Sequence, residues 1–397
     1  MPVSDFAGRY GASMMNAFGT PRRVLVSGQG CYVVDDRGRS YLDLLGGLAV
    51  NVLGHAHPAV VETLTRQAST LGHVSNFFAT PPQIALAERL LEILACGEGR
   101  VFLTNSGAEA NEAGLKLTRL SGRPTVVAAV GGFHGRTMGA LSLTSKAAYR
   151  EPFLPLVPGV CFVPYGDPDA LRDAVDGQTA AILLEPIQGE AGVVVPPTGY
   201  LQQARQIADE NGALLWLDEI QTGVGRTGAW FAFQHEGVRP DIVTMAKGLG
   251  AGFPIGACVA LGGTARSFGP GQHGTTFGGN PLAAAVALTV LNVIGSEGLL
   301  DRAKSSGEEL AALLSGLPGV TGVRGKGLLL AAALDEPVAS AAAAAGLDHG
   351  VIVNDVQPDA VRLAPPLVIG PAEIADARER LAAAWQGLSV RSPDERP

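Results

Sequence analysis

Two ionisable side chains in this sequence stand where a charge is hard to tolerate. Lys247 closes the apolar run Asp241-Ile242-Val243-Thr244-Met245-Ala246 and is followed by Gly248, Leu249 and Gly250, so its amine is expected in a dry, uncrowded place. A desolvated lysine has a lowered pKa and becomes a nucleophile able to form a Schiff base. The plain alternative is a lysine that snorkels to solvent. Asp218 ends a second apolar run, Leu214-Leu215-Trp216-Leu217, ahead of Glu219-Ile220-Gln221-Thr222-Gly223. A carboxylate there needs a cationic partner, and a protonated pyridine nitrogen would be one.

Other segments supply groups suited to an anion and a flat ring. Asn105-Ser106-Gly107-Ala108-Glu109 lies where a strand turns into a helix, whose first-turn N–H groups and dipole can cradle a phosphate. Taken alone, Ser106 is equally an ordinary N-cap. Gly131-Gly132-Phe133-His134-Gly135-Arg136-Thr137 sets an aromatic ring between glycines, suited to stacking on a planar group, with Arg136 able to fork onto a carboxylate. A surface loop with a buried aromatic staple is the competing reading. Thr275 and Thr276 are adjacent hydroxyls among glycines that can donate to phosphate or carboxylate oxygens. Glu190, in Glu185-Pro186-Ile187-Gln188-Gly189-Glu190, and Arg362, in Val361-Arg362-Leu363-Ala364-Pro365-Pro366, are candidates for a switchable ion pair at the mouth of a pocket.

Several other chemistries are excluded by motif. There is no GxSxG, Walker-type GxxxxGK[ST] or HExxH, and His55 and His57 have no obvious further ligands, so no metal is expected. Residues 223–228 match GxGxxG literally. The dinucleotide reading fails, because Trp230 and Phe231 follow where a helix should open and Asp218 precedes the glycines.

The elements that must position these residues repeat through the middle of the chain: an apolar run, a glycine-rich corner, a helical stretch. Runs at 100–104, 125–130, 180–184, 213–217 and 241–245 imply a mostly parallel sheet covered on both faces. Ligands bind such sheets beyond the carboxyl ends of the strands, where the residues above fall. Residues 24–43 suggest hairpins, and 281–295 and 299–314 read as helices. Short strands follow near 320–334 and 361–363, with a last helix at 371–388. The alanine run 341–345 reads as a helix that ends at Gly346, and the polar tail 391–397 as frayed.

Composition fits a soluble globular protein. Of 397 residues, 47% are hydrophobic and 17% charged, with a net charge of −8. That acidic balance, without any basic cluster, excludes a nucleic-acid partner. Glycine and proline make up about a fifth of the chain, short of the ~25–30% typical of low complexity. Cys31, Cys96, Cys161 and Cys258 are widely spaced, and no signal or membrane-spanning stretch is seen, so a cytoplasmic protein is expected.

A lysine nucleophile, a buried aspartate, an anion-binding turn, a stacking aromatic and a hydroxyl pair are the parts that hold pyridoxal phosphate. Their order and wording resemble the class III aminotransferases of the fold-type I group, from about Gly28 to Ile369; LDEIQTGVGRTG and DIVTMAKGLG are highly specific. The resemblance implies an α/β fold with a large, mostly parallel seven-stranded sheet and a smaller α+β domain. Residues 1–48 would contribute to the small domain, 49–287 would form the cofactor-binding domain and 288–397 the rest of the small domain. One departure is Leu330-Ala331-Ala332-Ala333-Leu334, where relatives usually carry a glycine and an acidic residue.

Roles follow from the same resemblance. Lys247 would form the Schiff base with pyridoxal phosphate and shuttle the proton, and Asp218 would pair with the pyridinium nitrogen. Gln221 would approach the phenolic oxygen, Phe133 would stack on the ring, and Glu219 and Ile220 would flank the cofactor. Ser106, Gly107 and Ala108 would serve the phosphate, and Thr276 would reach the phosphate of a neighbouring subunit's cofactor in a homodimer. Arg136 and Thr275 would bind an acylated amino acid, while Arg362 would hold the α-carboxylate of 2-oxoglutarate or glutamate with Glu190 masking it in the other half-reaction. The segment Gly72-His73-Val74-Ser75-Asn76-Phe77-Phe78, the GFHGRT loop and RLAPPLVI look most like the branch that takes the δ-amino group from N2-acetylornithine in arginine biosynthesis. Ornithine, succinyl-diaminopimelate and 4-aminobutyrate stand as alternative donors, and an aminomutase or a non-catalytic pyridoxal phosphate-binding protein as readings of another class.

Overall fold

The structure, a computed structural model, describes residues 6–389. In chain order its strands are β1 (Leu25–Gln29), β2 (Tyr32–Asp35), β3 (Ser40–Asp43), β4 (Gly99–Thr104), β5 (Thr125–Ala129), β6 (Val160–Val163), β7 (Thr179–Leu184), β8 (Leu214–Asp218), β9 (Ile242–Met245) and β10 (Gly256–Leu261). They continue as β11 (Val320–Lys326), β12 (Leu329–Leu334), β13 (Val351–Ile352), β14 (Asn354–Gln357) and β15 (Ala360–Leu363).

The central seven-stranded sheet has the order β4-β10-β9-β8-β7-β5-β6. Every pairing among β5 to β9 is parallel, and β10 alone runs against its neighbours β4 and β9. The carboxyl ends of the other six strands therefore open on one edge. All residues of β7, β9 and β10 are buried, which is why these runs read as continuously apolar and not as alternating.

One helix lies unusually close to this sheet. The helix Gly107–Arg119 passes over Trp216 of β8 at Gly114, where a Cβ would lie 2.4 Å from the indole ring. Trp216 is fully buried and donates Nε1–H to Thr244 Oγ1 at 3.1 Å, so it cannot easily yield. Gly114→Ala is expected to lower stability by about 1–3 kcal/mol through overpacking. Urea denaturation with an unchanged midpoint would show that the helix is free to shift.

The flanking sheets join the two ends of the chain. β1, β2 and β3 form antiparallel hairpins as expected, and β13 adds in parallel to β3. The antiparallel sheet β11-β12-β15-β14 completes the smaller part. The alanine-rich helix corrects one expectation: it spans Ala339–Asp348, runs through Gly346 and gives way at His349, ahead of the left-handed Gly350. Gly346 serves close packing instead, since a Cβ there would lie 3.1 Å from the carbonyl oxygen of Val351. The tail 391–397 lies outside the described residues. No single described helix is long and apolar enough to cross a membrane.

Candidate active site

Beyond the carboxyl ends of the strands lies a cavity of about 420 Å³. Five of the six strand ends on that edge hand it residues: Asn105 to Ala108 after β4, Phe133 to Arg136 after β5, Glu185 after β7, Asp218, Ile220 and Gln221 at and after the end of β8, and Lys247 after β9. Val50, Phe253, Pro254 and Ile255 complete much of an apolar wall.

Lys247 stands at the start of the turn after β9 with φ +38, a left-handed backbone that a lysine rarely adopts. Such strain persists only where the surroundings over-determine it, and it concentrates at functional sites. Burial pulls the amine down to about 8, with help from the positive charge of Arg362 and against the pull of Glu190, Glu185 and Asp218. The neutral, nucleophilic form of this amine is therefore far more accessible near neutrality than that of a solvated lysine.

Asp218 sits 3% exposed at the end of β8 with its carboxylate fixed from three sides. Oδ1 accepts the Ile220 N–H at 3.0 Å, while Oδ2 lies 2.7 Å from His134 Nδ1 and accepts from Asn111 Nδ2 at 2.8 Å. Burial works to discharge His134, but Asp218 and then Glu185 outweigh it, and its pKa is raised. Neither His134 nor Asn111 is singled out by the sequence reading, although an asparagine on the buried face of a small-residue helix was a signal.

The anion turn divides its duties. Ser106 caps the helix, its hydroxyl accepting the Glu109 N–H at 3.1 Å, as the ordinary reading holds. The N–H groups of Gly107 and Ala108 have no intrahelical partner and border the cavity. A Cβ at Gly107 would come 2.7 Å from Ile220 Cδ1, so only glycine lets the cavity floor close up to the main chain here. Phe133 is pinned by its N–H to Glu185 Oε1 at 3.0 Å; Glu185 also accepts the Gly189 N–H at 3.2 Å, and burial pushes its carboxyl up to about 7.

Two arginines differ in state. Arg136 is exposed at the mouth, its guanidinium 3.5 Å over the Tyr149 ring and 5.7 Å from that of Phe133, with no carboxylate partner among the described residues. Arg362 is 2% exposed and masked: Nη1 donates to Glu190 Oε1 at 2.7 Å and to Gln221 Oε1 at 3.1 Å, and Nη2 donates to Asn354 Oδ1 at 2.8 Å. Burial alone would raise Glu190, yet Arg362 and then Lys247 hold its carboxyl below the usual range. Gln221, expected at the phenolic oxygen, is thus also part of this ion-pair cluster.

Three of the expected residues do not line this cavity. Glu219 faces away from the cavity: its carboxylate accepts from Thr222 Oγ1 at 2.5 Å and from the Phe233 N–H at 2.9 Å, and burial pushes it up to about 7. Thr275 Oγ1 accepts the Gly278 N–H at 3.1 Å and does not line the cavity, and Thr276 is exposed outside it.

A bare helix turn that a Cβ would fill, a ring beside it, a fixed carboxylate across the cavity and a poised amine match the phosphate, ring, pyridine nitrogen and aldehyde of pyridoxal phosphate in turn. Fold and cavity together define a pyridoxal phosphate-dependent transferase. The class-III aminotransferase family model matches residues 15–385, and the chain belongs to that family. It is 58% identical over 369 residues, 92% of each chain, to an acetylornithine aminotransferase of Mycobacterium tuberculosis. The crystal structure of N-acetylornithine aminotransferase from Stenotrophomonas maltophilia superposes with a TM-score of 0.81 at 38% identity, covering 94% of this chain and 98% of that one. An ornithine aminotransferase from Toxoplasma gondii, with partial occupancy of pyridoxal phosphate at its active site, gives 0.91 at 34% identity, covering 97% and 94%.

Proposed function

We propose that this enzyme transfers the δ-amino group of N2-acetyl-L-ornithine to 2-oxoglutarate, giving N-acetyl-L-glutamate 5-semialdehyde and L-glutamate, a step of arginine biosynthesis. The observation that carries the reading is the pair of unlike arginines around one lysine: Arg136 open at the mouth, Arg362 buried under Glu190. Full-length similarity to acetylornithine aminotransferases supports the donor.

The cofactor, when bound, supplies an electron sink that lets an amino group pass from one carbon skeleton to another. Lys247 Nζ provides the amine that tethers it and the base that moves a proton at the substrate carbon bearing nitrogen. Asp218 holds the positive charge of the ring nitrogen, and Phe133 fixes the plane of the ring. The N–H groups of Gly107 and Ala108 bind the phosphate. Arg136 grips the distal carboxylate of the acetylated donor, whose reacting amine carries no neighbouring carboxylate. During that half-reaction Glu190 neutralises Arg362; in the other, its side chain swings away and the α-carboxylate of 2-oxoglutarate takes its place.

The same reading covers assembly. Phe77, Phe78 and Phe277 are 92%, 67% and 60% exposed near Thr276, an arrangement suited to burial in a homodimer where Thr276 serves the partner's site. Residues 49–287 are assigned to the cofactor-binding domain, with 1–48 and 288–397 as the smaller one, in keeping with the β3–β13 pairing. A cytoplasmic location completes the assignment.

Steady-state kcat/KM values for acetylornithine, ornithine, succinyl-diaminopimelate and 4-aminobutyrate test the donor. Acetylornithine is expected to lead ornithine by at least about ten-fold, since free ornithine brings a second ammonium toward the cationic mouth at Arg136. A preference for ornithine, or turnover without any 2-oxo acid as in an aminomutase, would overturn the assignment.

A further inference from the structure

The geometry points to Asn354 as the positioning residue of the acceptor site: a neutral, permanent partner that keeps Arg362 aimed when Glu190 leaves it. This rests on the reading of Arg362 as the α-carboxylate grip.

β14 and β15 pair antiparallel with Asn354 directly opposite Arg362. Arginine has only donors, so Asn354 must present its oxygen to Nη2, as it does at 2.8 Å. The other branch, Nη1, is shared by Glu190 and Gln221, and Nε has no partner. When Glu190 swings out, the buried guanidinium loses its only carboxylate partner among the described residues at the moment a substrate must find it. Gln221 still touches Nη1. Asn354 alone holds Nη2, and it leaves the second Nη2 hydrogen for an incoming carboxylate.

The same strand fixes what does not move. Residues 354 and 357 would face opposite sides of a regular strand. The pairing register shifts between Asp355 and Gln357, and that bulge turns Gln357 to the side of Asn354. Gln357 Nε2 donates to the main-chain oxygen of Glu190 at 2.9 Å, and Arg324 Nε donates to that of Gly192 at 2.6 Å. With the loop backbone tied at Glu190 and at Gly192, Glu190 opens by side-chain rotation, not by loop displacement. Asn354 supplies the fixed point against which that rotation works. A neutral amide suits the part, because a second carboxylate would mask Arg362 permanently.

The test measures the two half-reactions of the holoenzyme separately, together with calorimetric binding of glutarate as a non-reacting dicarboxylate. Asn354→Ala is expected to raise KM for 2-oxoglutarate and Kd for glutarate by at least about ten-fold, as for loss of a hydrogen bond to a charged group. The half-reaction with the amine donor should change by less than about two-fold. Asn354→Asp, of the same volume, should weaken both dicarboxylates more than alanine does. It also keeps the test alive if the alanine variant fails to fold. Equal losses in both half-reactions, or unchanged 2-oxoglutarate KM and glutarate Kd, would overturn the role of Asn354. Arg362→Ala separates the premises: if it too spares 2-oxoglutarate, the carboxylate grip itself is wrong; if it alone is damaging, only the inference about Asn354 falls.

Discussion

Lys247→Ala is expected to lower transamination by about 10⁴-fold, the upper end of what positioned proton transfer contributes, because one amine serves both as tether and as base. Lys247→Arg should fare no better: a guanidinium stays protonated at any working pH and is no nucleophile. Borohydride reduction followed by intact-mass analysis should find a phosphopyridoxyl adduct on the wild-type chain at Lys247 and none on either variant. An adduct elsewhere, or substantial residual turnover, would remove this lysine from the chemistry. The depressed pKa adds a pH dependence. Only the neutral amine attacks an aldehyde, and burial holds this one near 8. Capture of pyridoxal phosphate by the apoprotein should accelerate as pH rises through about 8 and level off above it. A rate that keeps climbing past pH 10 without levelling off would mean that Lys247 is solvated like a surface lysine.

The placement of that lysine was legible in the sequence because burial on both faces leaves a strand no polar positions except at its end. The same logic located Asp218, Glu185 and the turns after β4 and β5, and with them the edge of the sheet that carries the cavity. The misplacement of Glu219 has a simple cause. Consecutive residues at a strand end point to opposite faces, so a cavity that receives Asp218 cannot also receive the next carboxylate. Thr222 and Phe233 take it instead. Gly346 was misread because local propensity treats a glycine after an alanine run as a stop, whereas packing against Val351 carries the helix two residues further. The partners of Arg362 were illegible for another reason. Asn354 and Gln357 act together only through a bulge, and nothing in the residue types of a four-residue strand announces one. His134 was visible in its loop, but its task depends on Asp218, 84 residues away.

That partnership sets the second large effect. Asp218→Asn keeps the shape of the side chain and removes its charge, leaving the protonated ring nitrogen of the cofactor without a counter-ion. A charge pair at about 4 Å is worth roughly 4 kcal/mol at the effective dielectric suited to such sites. At about 1.4 kcal/mol per decade, kcat should fall by about 10³-fold. Both half-reactions should suffer alike, since the ring nitrogen serves both, which distinguishes this variant from changes at Arg136 or Arg362. Stability should move differently. A carboxylate 3% exposed is costly to desolvate, and its removal from the apoprotein trades that cost against the bonds from His134, Asn111 and Ile220. The same substitution also lowers the His134 pKa, because Asp218 is the main group raising it against burial. With that attraction gone, burial favours the uncharged imidazole, which has less need of a counter-ion, so the apoprotein melting temperature should stay within a few degrees of wild type while activity collapses. A variant that loses both together would make Asp218 a folding residue first, with the cofactor's charge a lesser concern.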